Sequence, residues 1–340
     1  MAVTLVTGAT GNVGNAIVRA LVAEGRPVRV LARDPVRARP ILPAACEVVR
    51  GDVTDAAQVE DAMREVDVVY HAAGLPEQWL LDPGLFDAVN VGGTQVIADA
   101  AREAGVRRFV YTSTIDVFAW QPGVPFDESV IDAAPKHTAY ERSKQEADRR
   151  VVRAIDAGLP AVFLHPSAVY GTSPTGSPGV NDLVVRLIRG DIPMLLPGLM
   201  PVVFADDVAR GHLLAEAEAP GSRYILSESV WTLEELARKV AVAAREVIGV
   251  DVALPRVMPE WVAHLVSIAT EGLARLTRRP PLLPAGQLAF LLARATPVAE
   301  RARSHLGWKP VAFDDGLRTT LRTLVERGVL APAATPGVAA

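Results

Sequence analysis

The sequence has few of the residues that mark disulfide-linked, metal-binding or nucleic-acid-binding proteins. Cys46 is the single cysteine in 340 residues, which rules out an internal disulfide framework and predicts a reducing compartment. The six histidines are scattered without H-x-H or H-E-x-x-H spacing, so we predict no metal site. Lysine and arginine number 35 against 39 acidic residues, and the net charge of −4 argues against a general nucleic-acid surface.

Long hydrophobic runs are missing as well. No uninterrupted apolar stretch reaches membrane length, and the first residues enter an apolar strand pattern without a basic leader or cleavage site. We therefore expect a cytoplasmic protein without a membrane span. The composition is 50% hydrophobic and 22% charged, which is ordinary for a globular enzyme with one large or two interleaved domains.

Short apolar runs alternate with helical patterns in the first half of the chain. Their hydrophobicity is continuous, which is typical of strands covered on both faces of a parallel sheet. The predicted strands are 3–6, 28–32, 47–50, 66–70, 109–112 and 161–164, and the predicted helices are 12–24, 56–64, 85–103, 138–157 and 182–189. This alternation predicts an α/β, doubly wound Rossmann-type fold with ligands beyond the carboxyl ends of the strands.

The composition changes after residue 171. Residues 172–179 have a loop-forming composition of glycine, serine, threonine and proline, a Pro-rich passage covers 193–201, and the sheet pattern returns at Phe204. We predict a dinucleotide-binding domain from residues 1–171 and 202–227. A smaller, mainly helical substrate-binding region is expected from 172–201 and 228–330, followed by a disordered tail at 331–340.

Two motifs carry the chemistry. Thr7-Gly8-Ala9-Thr10-Gly11-Asn12-Val13-Gly14 follows the first strand, where small residues let backbone N–H groups approach a pyrophosphate at a helix start. Tyr140-Glu141-Arg142-Ser143-Lys144 places a phenol and an ammonium on one helix face. Taken alone, the first could be a tight βα turn and the second a chance pair. Their order, with a Thr/Ser cluster ending the strand before the pair, predicts a nicotinamide-dependent redox site.

Several further sequence motifs follow one another in the order found in the extended short-chain dehydrogenases/reductases, and the chain resembles that superfamily over nearly its whole length. Within that superfamily it most resembles the dihydroflavonol-reductase-like and 3β-hydroxysteroid-dehydrogenase-like branch. The further motifs are Gly51 to Asp55, His71 to Gly74, Asn90 to Thr94, Tyr111 to Thr114, His165 to Gly171 and Asp206 to Ala209.

The resemblance implies three catalytic residues. Tyr140 would be the general acid that protonates the carbonyl oxygen as hydride arrives, and Lys144 would bind the nicotinamide ribose. A free phenol has a pKa near ~10, and a cation held nearby shifts it downward, so Lys144 is also expected to lower the pKa of Tyr140. Thr114 would hydrogen-bond the substrate oxygen, with Ser113 as the alternative if the strand end is shifted by one residue.

Cofactor choice depends on the end of the second predicted strand. Ala32 stands where related NAD-preferring sequences carry Asp, and Arg33 follows where relatives bind the 2′-phosphate. We therefore predict NADP(H). The alternative is NAD(H), with Arg33 a solvated loop residue and Asp34 binding the ribose.

The remaining cofactor contacts are also implied by the resemblance. Asp52 and Val53 are expected to flank the adenine, although Asp52 could instead cap the next helix. Pro166 and Ser167 are expected to border the nicotinamide, with His165 as a packed neighbour. The full predicted cofactor set is Gly8, Thr10, Gly11, Asn12, Val13, Gly14, Arg33, Asp52, Val53, Ala72, Ala73, Gly74, Asn90, Thr112, Tyr140, Lys144, Pro166, Ser167 and Val169.

The segments expected around the substrate contain few charges. They predict a small hydrophobic carbonyl or alcohol as substrate, under a roof formed by residues 171–180 and 193–200. Trp261, Leu265, Ile268 and Leu276 recur at helical spacing and fit a pocket wall, or equally well a core or dimer face. A homodimer is expected. The predicted substrate contacts are Thr114, Trp79, Met194 and Leu196.

Two other functions stay open. An NAD-retaining sugar-nucleotide epimerase or dehydratase is opposed by the Thr-Ile-Asp sequence at 114–116, where dehydratases carry Thr-Asp-Glu. It is also opposed by Met200 or Pro201, where such enzymes place a diphosphate-binding arginine. Asn181 could contact a diphosphate, and we favour a helix N-cap for it. A non-catalytic NADP(H)-binding sensor would not need the intact Tyr140 and Lys144.

Overall fold

The computed structural model describes residues 3–77, 79–172, 179–279, 281 and 283–332. The strands are β1 (Val3–Thr7), β2 (Val28–Ala32), β3 (Glu47–Arg50), β4 (Val66–His71), β5 (Arg108–Thr112), β6 (Pro125–Phe126), β7 (Ala161–Pro166), β8 (Ala168–Tyr170), β9 (Met194–Leu195), β10 (Leu199–Phe204), β11 (Arg223–Leu226), β12 (Ser229–Thr232), β13 (Arg256–Val257) and β14 (Thr296–Pro297). The helices are α1 (Asn12–Ala23), α2 (Pro35–Ala38), α3 (Ala56–Ala62), α4 (Gly84–Phe86), α5 (Thr94–Glu103), α6 (Ala139–Asp156), α7 (Val180–Arg189), α8 (Ala205–Ala215), α9 (Leu233–Ile248), α10 (Glu260–Thr277), α11 (Ala285–Ala293), α12 (Glu300–His305) and α13 (Phe313–Glu326). A π-helical segment, Asp87–Gly93, joins α4 to α5, and 3₁₀ turns span Arg39–Ile41 and Ile115–Val117.

Seven parallel strands form the central sheet in the order β11-β7-β5-β4-β1-β2-β3. Each predicted strand is present, and the doubly wound α/β fold is confirmed. The strand order reverses at β1, which lies between β2 and β4, and ligands of such sheets bind at this reversal. The turn after β1 and the segment after β4 therefore lie side by side at the carboxyl edge.

Helices cover both faces of the sheet, which explains why the strands are apolar without alternation. On one face α1 packs against α8 over a cluster that includes Ile17 and Val208. On the other face α3, α5 and α6 bury Val59, Ile97 and Val151. A third cluster joins α7, α9 and α13 beside the sheet.

The Pro-rich passage at 193–201 contains strand β9 and the start of β10. Strand β9 pairs with β13 through Met194 and Arg256, and β10 pairs with β12 and β8. These partners lie about 30 to 60 residues away along the chain, with Met200 opposite Trp231. Local composition could not indicate them, because non-local pairing rather than propensity makes these strands.

Two predicted helices differ from the structure. The helix expected at 85–103 is interrupted by the π-helical segment Asp87–Gly93, and the helix expected at 182–189 begins earlier, at Val180. Residues 173–178 of the predicted roof and 333–340 of the predicted tail lie outside the described residues. Within the described ranges, no helix has the length and apolar character needed to cross a membrane.

Candidate active site

Helix α6 carries the Tyr140/Lys144 pair to the carboxyl end of β5. Its start is fixed by a capping box, in which Thr138 accepts the Glu141 backbone N–H and the Glu141 carboxylate accepts the Thr138 N–H. Tyr140 is then in the first turn and Lys144 one turn later on the same face. The capping box therefore fixes the residue at which the helix of the predicted pair begins.

Lys144 is buried and directed at β5. Its Nζ donates to the carbonyl oxygen of Thr112 at 3.0 Å and to the Tyr111 hydroxyl at 3.3 Å, and it lies 5.0 Å from the centre of the Tyr111 ring. Burial lowers the pKa of Lys144 to about 8, against the opposing effect of Asp148 and Asp116. Two hydrogen bonds thus fix the position of the ammonium, and burial makes it more acidic than a lysine in water.

Thr114 lies two residues after β5 and is the N-cap of the 3₁₀ turn Ile115–Val117. Its hydroxyl donates to the Asp116 carboxylate at 2.9 Å. The neighbouring Ser113 donates to buried Asp148, which pairs with Arg223 at 2.7 Å. Because the Ser113 hydroxyl is part of this interior network, Thr114 is the better candidate to contact a substrate oxygen.

Tyr140 is half-buried and packs edge-on against Phe86, with ring centres 6.1 Å apart. Burial and the nearby charge of Asp116 raise the pKa of Tyr140 above its ordinary value, and a hydrogen bond with Thr114 opposes the rise. The Lys144 ammonium contacts Tyr111 and Thr112. The expected lowering of the Tyr140 pKa by Lys144 therefore stays a prediction.

Asp116 is the site residue that the sequence reasoning missed. It was used only to argue against a dehydratase, yet its carboxylate accepts the Thr114 hydroxyl and influences Tyr140. Burial raises the pKa of Asp116 to about 6, with the charge of Glu141 adding to the rise. The signal available in the sequence was an acidic residue two positions after Thr114, the predicted catalytic threonine.

The glycine turn fits a dinucleotide. Gly8 has φ of +73°, and a Cβ on it would lie 2.5 Å from the carbonyl oxygen of Ala72. A Cβ on Gly14 would lie 2.3 Å from the Gly8 carbonyl oxygen, so only glycine permits the turn to close. The Gly11 N–H donates to Gly8 at 2.9 Å, and Gly11 precedes α1 without a side-chain cap.

Two buried polar atoms near the predicted cradle have no hydrogen-bond partner among the described residues, Asn12 Oδ1 and Ser167 Oγ. Buried polar groups are normally satisfied, so unpartnered atoms at these positions fit a bound polar ligand. Thr10 is exposed at the turn, and Val13 packs into the core beneath it. The residues present therefore fit a nicotinamide dinucleotide.

Asn90 ties the segment after β4 to the catalytic helix. Its Oδ1 accepts the Leu75 N–H at 2.7 Å, and its Nδ2 donates to the Ser143 hydroxyl at 2.9 Å. Ala72 and Ala73 are half-buried, while Gly74 is exposed and its hypothetical Cβ would meet Asn90 Oδ1 at 3.2 Å. The small residues predicted here lie beside the glycine turn.

At the adenine end, Arg33 is exposed directly after β2. Asp34 accepts the Val36 and Arg37 backbone N–H groups at 3.0 and 3.1 Å and caps α2. Asp34 is thus engaged within its own loop.

Asp52 does not cap the helix that follows it. That cap is Asp55, which accepts the Gln58 N–H, whereas Asp52 accepts the backbone N–H and the hydroxyl of Thr54. Val53 packs its side chain close to Gly93, where an added Cβ would lie 2.7 Å away.

The other predicted cofactor residues lie along β5, β7 and β8. Thr112 offers its carbonyl oxygen to Lys144, while its hydroxyl bonds to His212 Nε2 at 2.8 Å. Pro166 ends β7, and Val169 is half-buried in β8. His165 bonds the Thr114 carbonyl oxygen through Nδ1 at 3.1 Å, and burial lowers its pKa to about 3, as befits a packed neighbour.

The predicted substrate contacts are only partly brought together. A narrow cleft beside Ile115 and Asp116 is lined by the aromatic residues Trp120, Phe126 and Phe290. Its lining does not include Trp79, which is half-buried after β4, or Met194 of β9. Leu196 packs with Leu283 and Leu288 against α10 and α11.

Two further expectations change. Asn181 lies inside the first turn of α7, after the N-cap Gly179, so the favoured N-cap role is wrong. Its amide instead binds both the N–H and the carbonyl oxygen of Gly171, at 3.0 and 2.8 Å. Trp261, Leu265, Ile268 and Leu276 are between 57% and 83% exposed, so they form neither core nor pocket wall. No group of three or more potential metal ligands occurs within the described ranges.

Comparison with known proteins agrees with this geometry. The chain is 28% identical over 333 residues to sterol demethylase protein B of Methylococcus capsulatus, covering 96% of this chain and 99% of the relative. It is 30% identical to the 2-alkyl-3-oxoalkanoate reductase of Stenotrophomonas maltophilia, with 92% and 97% covered. Others are named as a putative dihydroflavonol 4-reductase and 3 beta-hydroxysteroid dehydrogenases, which confirms the predicted branch.

A solved structure has the same architecture. The UDP-glucose 4-epimerase of Thermus thermophilus, in complex with NAD, superposes with a TM-score of 0.75 at 27% identity, covering 96% of this chain and all of that one. The model of the NAD dependent epimerase/dehydratase family matches residues 4–226. This chain therefore belongs to the NAD dependent epimerase/dehydratase family, within the extended short-chain dehydrogenases/reductases.

Proposed function

We propose that this protein is an NADP(H)-dependent oxidoreductase that interconverts a carbonyl and a primary or secondary alcohol on a small hydrophobic substrate. The observation that carries the proposal is the meeting of Tyr140, Thr114 and buried Lys144 at the carboxyl end of β5. This group lies at the same carboxyl edge of the sheet as the glycine turn after β1, and β4 lies between β5 and β1. The names of the reductases and dehydrogenases among the relatives support it.

Each of the three side chains has a separate role in reduction of the carbonyl group. NADP(H), when bound, supplies or accepts the hydride. Thr114 orients the substrate oxygen, and Tyr140 gives its phenolic proton to that oxygen as negative charge develops on it. Lys144 holds the ribose and contributes positive charge from within a dry site. In alcohol oxidation the same groups act in reverse, and Tyr140 accepts the proton.

The preference for NADP(H) rests on the two residues after β2. Arg33 is exposed at the position expected for the 2′-phosphate, and a guanidinium binds phosphate with directed, charge-assisted hydrogen bonds. Asp34, the alternative ribose ligand for NAD, already accepts two backbone N–H groups of α2. An acceptor used in this way is less available to a ribose hydroxyl.

The substrate class follows from the cleft beside Asp116. Its wall of Trp120, Phe126 and Phe290 offers apolar surface for a ketone or aldehyde. No cationic side chain occurs among its lining residues, so it offers no partner for a diphosphate. The cleft has a volume of about 10 Å³, room for about one water molecule, so we propose that it forms one edge of a larger site for a steroid-like, phenolic or fatty carbonyl compound. The predicted domains, homodimer and cytoplasmic location complete the proposal.

The test is cofactor oxidation by the purified chain. NADPH and NADH are each mixed with steroid, phenolic and fatty ketones or aldehydes, and with UDP-glucose as the alternative substrate. We expect oxidation with apolar carbonyls and faster turnover with NADPH. Epimerisation of UDP-glucose by a tightly bound NAD, without ketone reduction, would replace the reductase by an epimerase. Binding of NADPH without any turnover would favour the sensor.

A further inference from the structure

The outer face of α10 is apolar and open to solvent. Trp261, Leu265, Ile268, Leu273 and Leu276 are 67%, 57%, 72%, 57% and 83% exposed. Among the described residues from Trp261 to Leu273, the exposed positions carry no charged side chain. Single exposed apolar residues are ordinary, but a continuous helix face of this kind marks an interaction site.

The inner face of α10 connects it to the catalytic region. Ala263 and Val266 pack with Leu283 and Leu288 of the following segment and α11. Helix α11 supplies Phe290 to the cleft beside Asp116. It also passes so close to Thr138, the N-cap of the catalytic helix, that a Cβ on Gly286 would overlap the Thr138 side chain. The exposed face therefore lies on the outside of the helix pair that borders the cleft.

The helix pair carries a local positive charge. Residues 260–294 contain four arginines and two glutamates, a net charge of +2, whereas the whole chain carries −4. Arg278 and Arg279 follow α10 directly and are exposed. Basic residues beside an apolar helix face that includes tryptophan are typical of helices lying in the interface of an anionic bilayer.

We propose that the outer face of α10 docks this protein on the surface of an anionic lipid bilayer. The five apolar side chains enter the boundary between headgroups and acyl chains, and Arg278 and Arg279 contact the headgroup phosphates. The bilayer would then lie next to the cleft lined by Phe290. If the proposed function holds, apolar substrates dissolved in the bilayer have a short route to Tyr140; docking itself does not depend on that function.

A second copy of this chain is the weaker occupant. A helix of 18 residues is about 27 Å long and about 10 Å wide, so its exposed face covers roughly 300 Å². A stable protein interface buries about 800 Å² on each partner. This face alone is too small for a dimer, whereas a bilayer requires only an apolar stripe with a basic margin.

The experiment is co-sedimentation of the full chain with vesicles, without substrate or cofactor. Vesicles of phosphatidylcholine with phosphatidylglycerol are compared with phosphatidylcholine alone. We expect binding to the anionic vesicles that weakens with salt. The variant Ile268→Glu/Leu276→Glu should lose at least about tenfold in partition, because burial of one such side chain is worth that much. Val242→Glu, at a 55% exposed position of α9, is the matched control and should bind as the parent does.

Two further variants sharpen the outcome. Arg278→Gln/Arg279→Gln should reduce binding to the anionic vesicles and flatten its salt dependence. The blue shift of tryptophan emission on binding should be lost in Trp261→Phe, which keeps an apolar side chain. Absence of binding by the parent, or equal binding by Ile268→Glu/Leu276→Glu, would overturn the proposal. A dimer that the same substitutions dissociate, without vesicle binding, would assign the face to a second copy. Ketone turnover is measured separately, so its failure leaves the docking result intact.

Discussion

Three oxygen-bearing side chains meet at the end of β5, and their coupling sets the chemistry of the site. The Thr114 hydroxyl donates to Asp116 at 2.9 Å, and the charge of Asp116 raises the pKa of Tyr140. A phenol held neutral in this way is kept as a proton donor. The spacing of Tyr140 and Lys144 places both residues on one helix face, and their order after the glycine turn and the Thr/Ser cluster predicted the site.

Removal of the phenolic hydroxyl tests the proton donor. Tyr140→Phe should lower turnover by about 10²- to 10⁴-fold, the usual contribution of general acid–base catalysis. NADPH affinity, measured by fluorescence titration, should stay close to that of the parent because the ring and its contact with Phe86 remain. Turnover within a few-fold of the parent would exclude Tyr140 as the acid.

Asp116 makes stability depend on pH. Its folded-state pKa of about 6 lies above the ordinary value of 3.8, so its contribution is favourable below pH 4 and is lost as pH rises through about 6. Asp116→Asn cannot ionise and should therefore become more stable than the parent, by up to about 2 kcal/mol, as pH rises from 4 to 8. Thermal or urea unfolding at both pH values measures the difference. A constant difference would contradict the raised pKa.

We predict that Arg33 selects NADP(H) over NAD(H). Arg33→Ala should weaken NADPH binding by about ten- to a hundredfold, the value of a charge-assisted contact with phosphate, and leave NADH binding almost unchanged. Arg37→Ala is the matched control, because Arg37 is also exposed and instead pairs with Asp34 at 3.4 Å. Dissociation constants for both nucleotides provide the measurement, and equal losses would make Arg33 structural.

At the scale of elements, the π-helical segment Asp87–Gly93 places the Asn90 side-chain amide between the segment after β4 and helix α6. π-helical turns widen a helix locally and recur at functional sites. Here the segment carries Asn90, which links Leu75, after β4, to Ser143 of α6. Apolar periodicity predicted a continuous helix over this span, because it records which face is buried and not whether the backbone spacing is regular.

The Asn90 link should be needed for both folding and binding. Asn90→Ala removes the acceptor of the Leu75 N–H and the donor to Ser143, which should cost about 1–3 kcal/mol of unfolding free energy and weaken NADPH binding. Gln95→Ala, in the following helix α5, removes only a bond to Asp99 and serves as the control. Urea unfolding and nucleotide titration test both effects. Equal behaviour of the two variants would contradict a positioning role.

The difference between local patterns and long-range contacts explains which elements the sequence could predict. Six of the seven strands of the central sheet were predicted from their short apolar runs, whereas the edge strand β11 was not predicted. Strands β9, β10, β12 and β13 depend on partners far along the chain. The role of Asp116 and the bond of Ser113 to Asp148 likewise depend on side-chain directions at a strand end, which periodicity does not contain.

For the whole molecule, the substrate side was the part that the sequence predicted least well. Leu196 was expected to face the substrate, but it packs between the cluster of α7, α9 and α13 and that of α10 and α11. A charge at Leu196 would therefore disturb the fold before it affected a substrate. The aromatic lining of the cleft comes from residues 120, 126 and 290, which only tertiary packing brings together.

Phe290 offers a direct test of the cleft, because α11 brings it from the carboxyl-terminal half of the chain to Asp116 near the catalytic threonine. A carboxylate there must lose water when an apolar carbonyl compound binds, and it also lies near the charge of Asp116. Phe290 also packs against the core beneath α1 and α8 and against the cluster of α7, α9 and α13, so the folding of Phe290→Asp is checked first by thermal unfolding. In the folded variant, KM for such a substrate should rise by at least about tenfold and NADPH affinity should stay unchanged. Phe290→Leu keeps the apolar wall and should remain within a few-fold of the parent. Unchanged KM in Phe290→Asp, with a stable fold, would place the substrate outside this cleft and assign Phe290 to packing between α11 and the sheet.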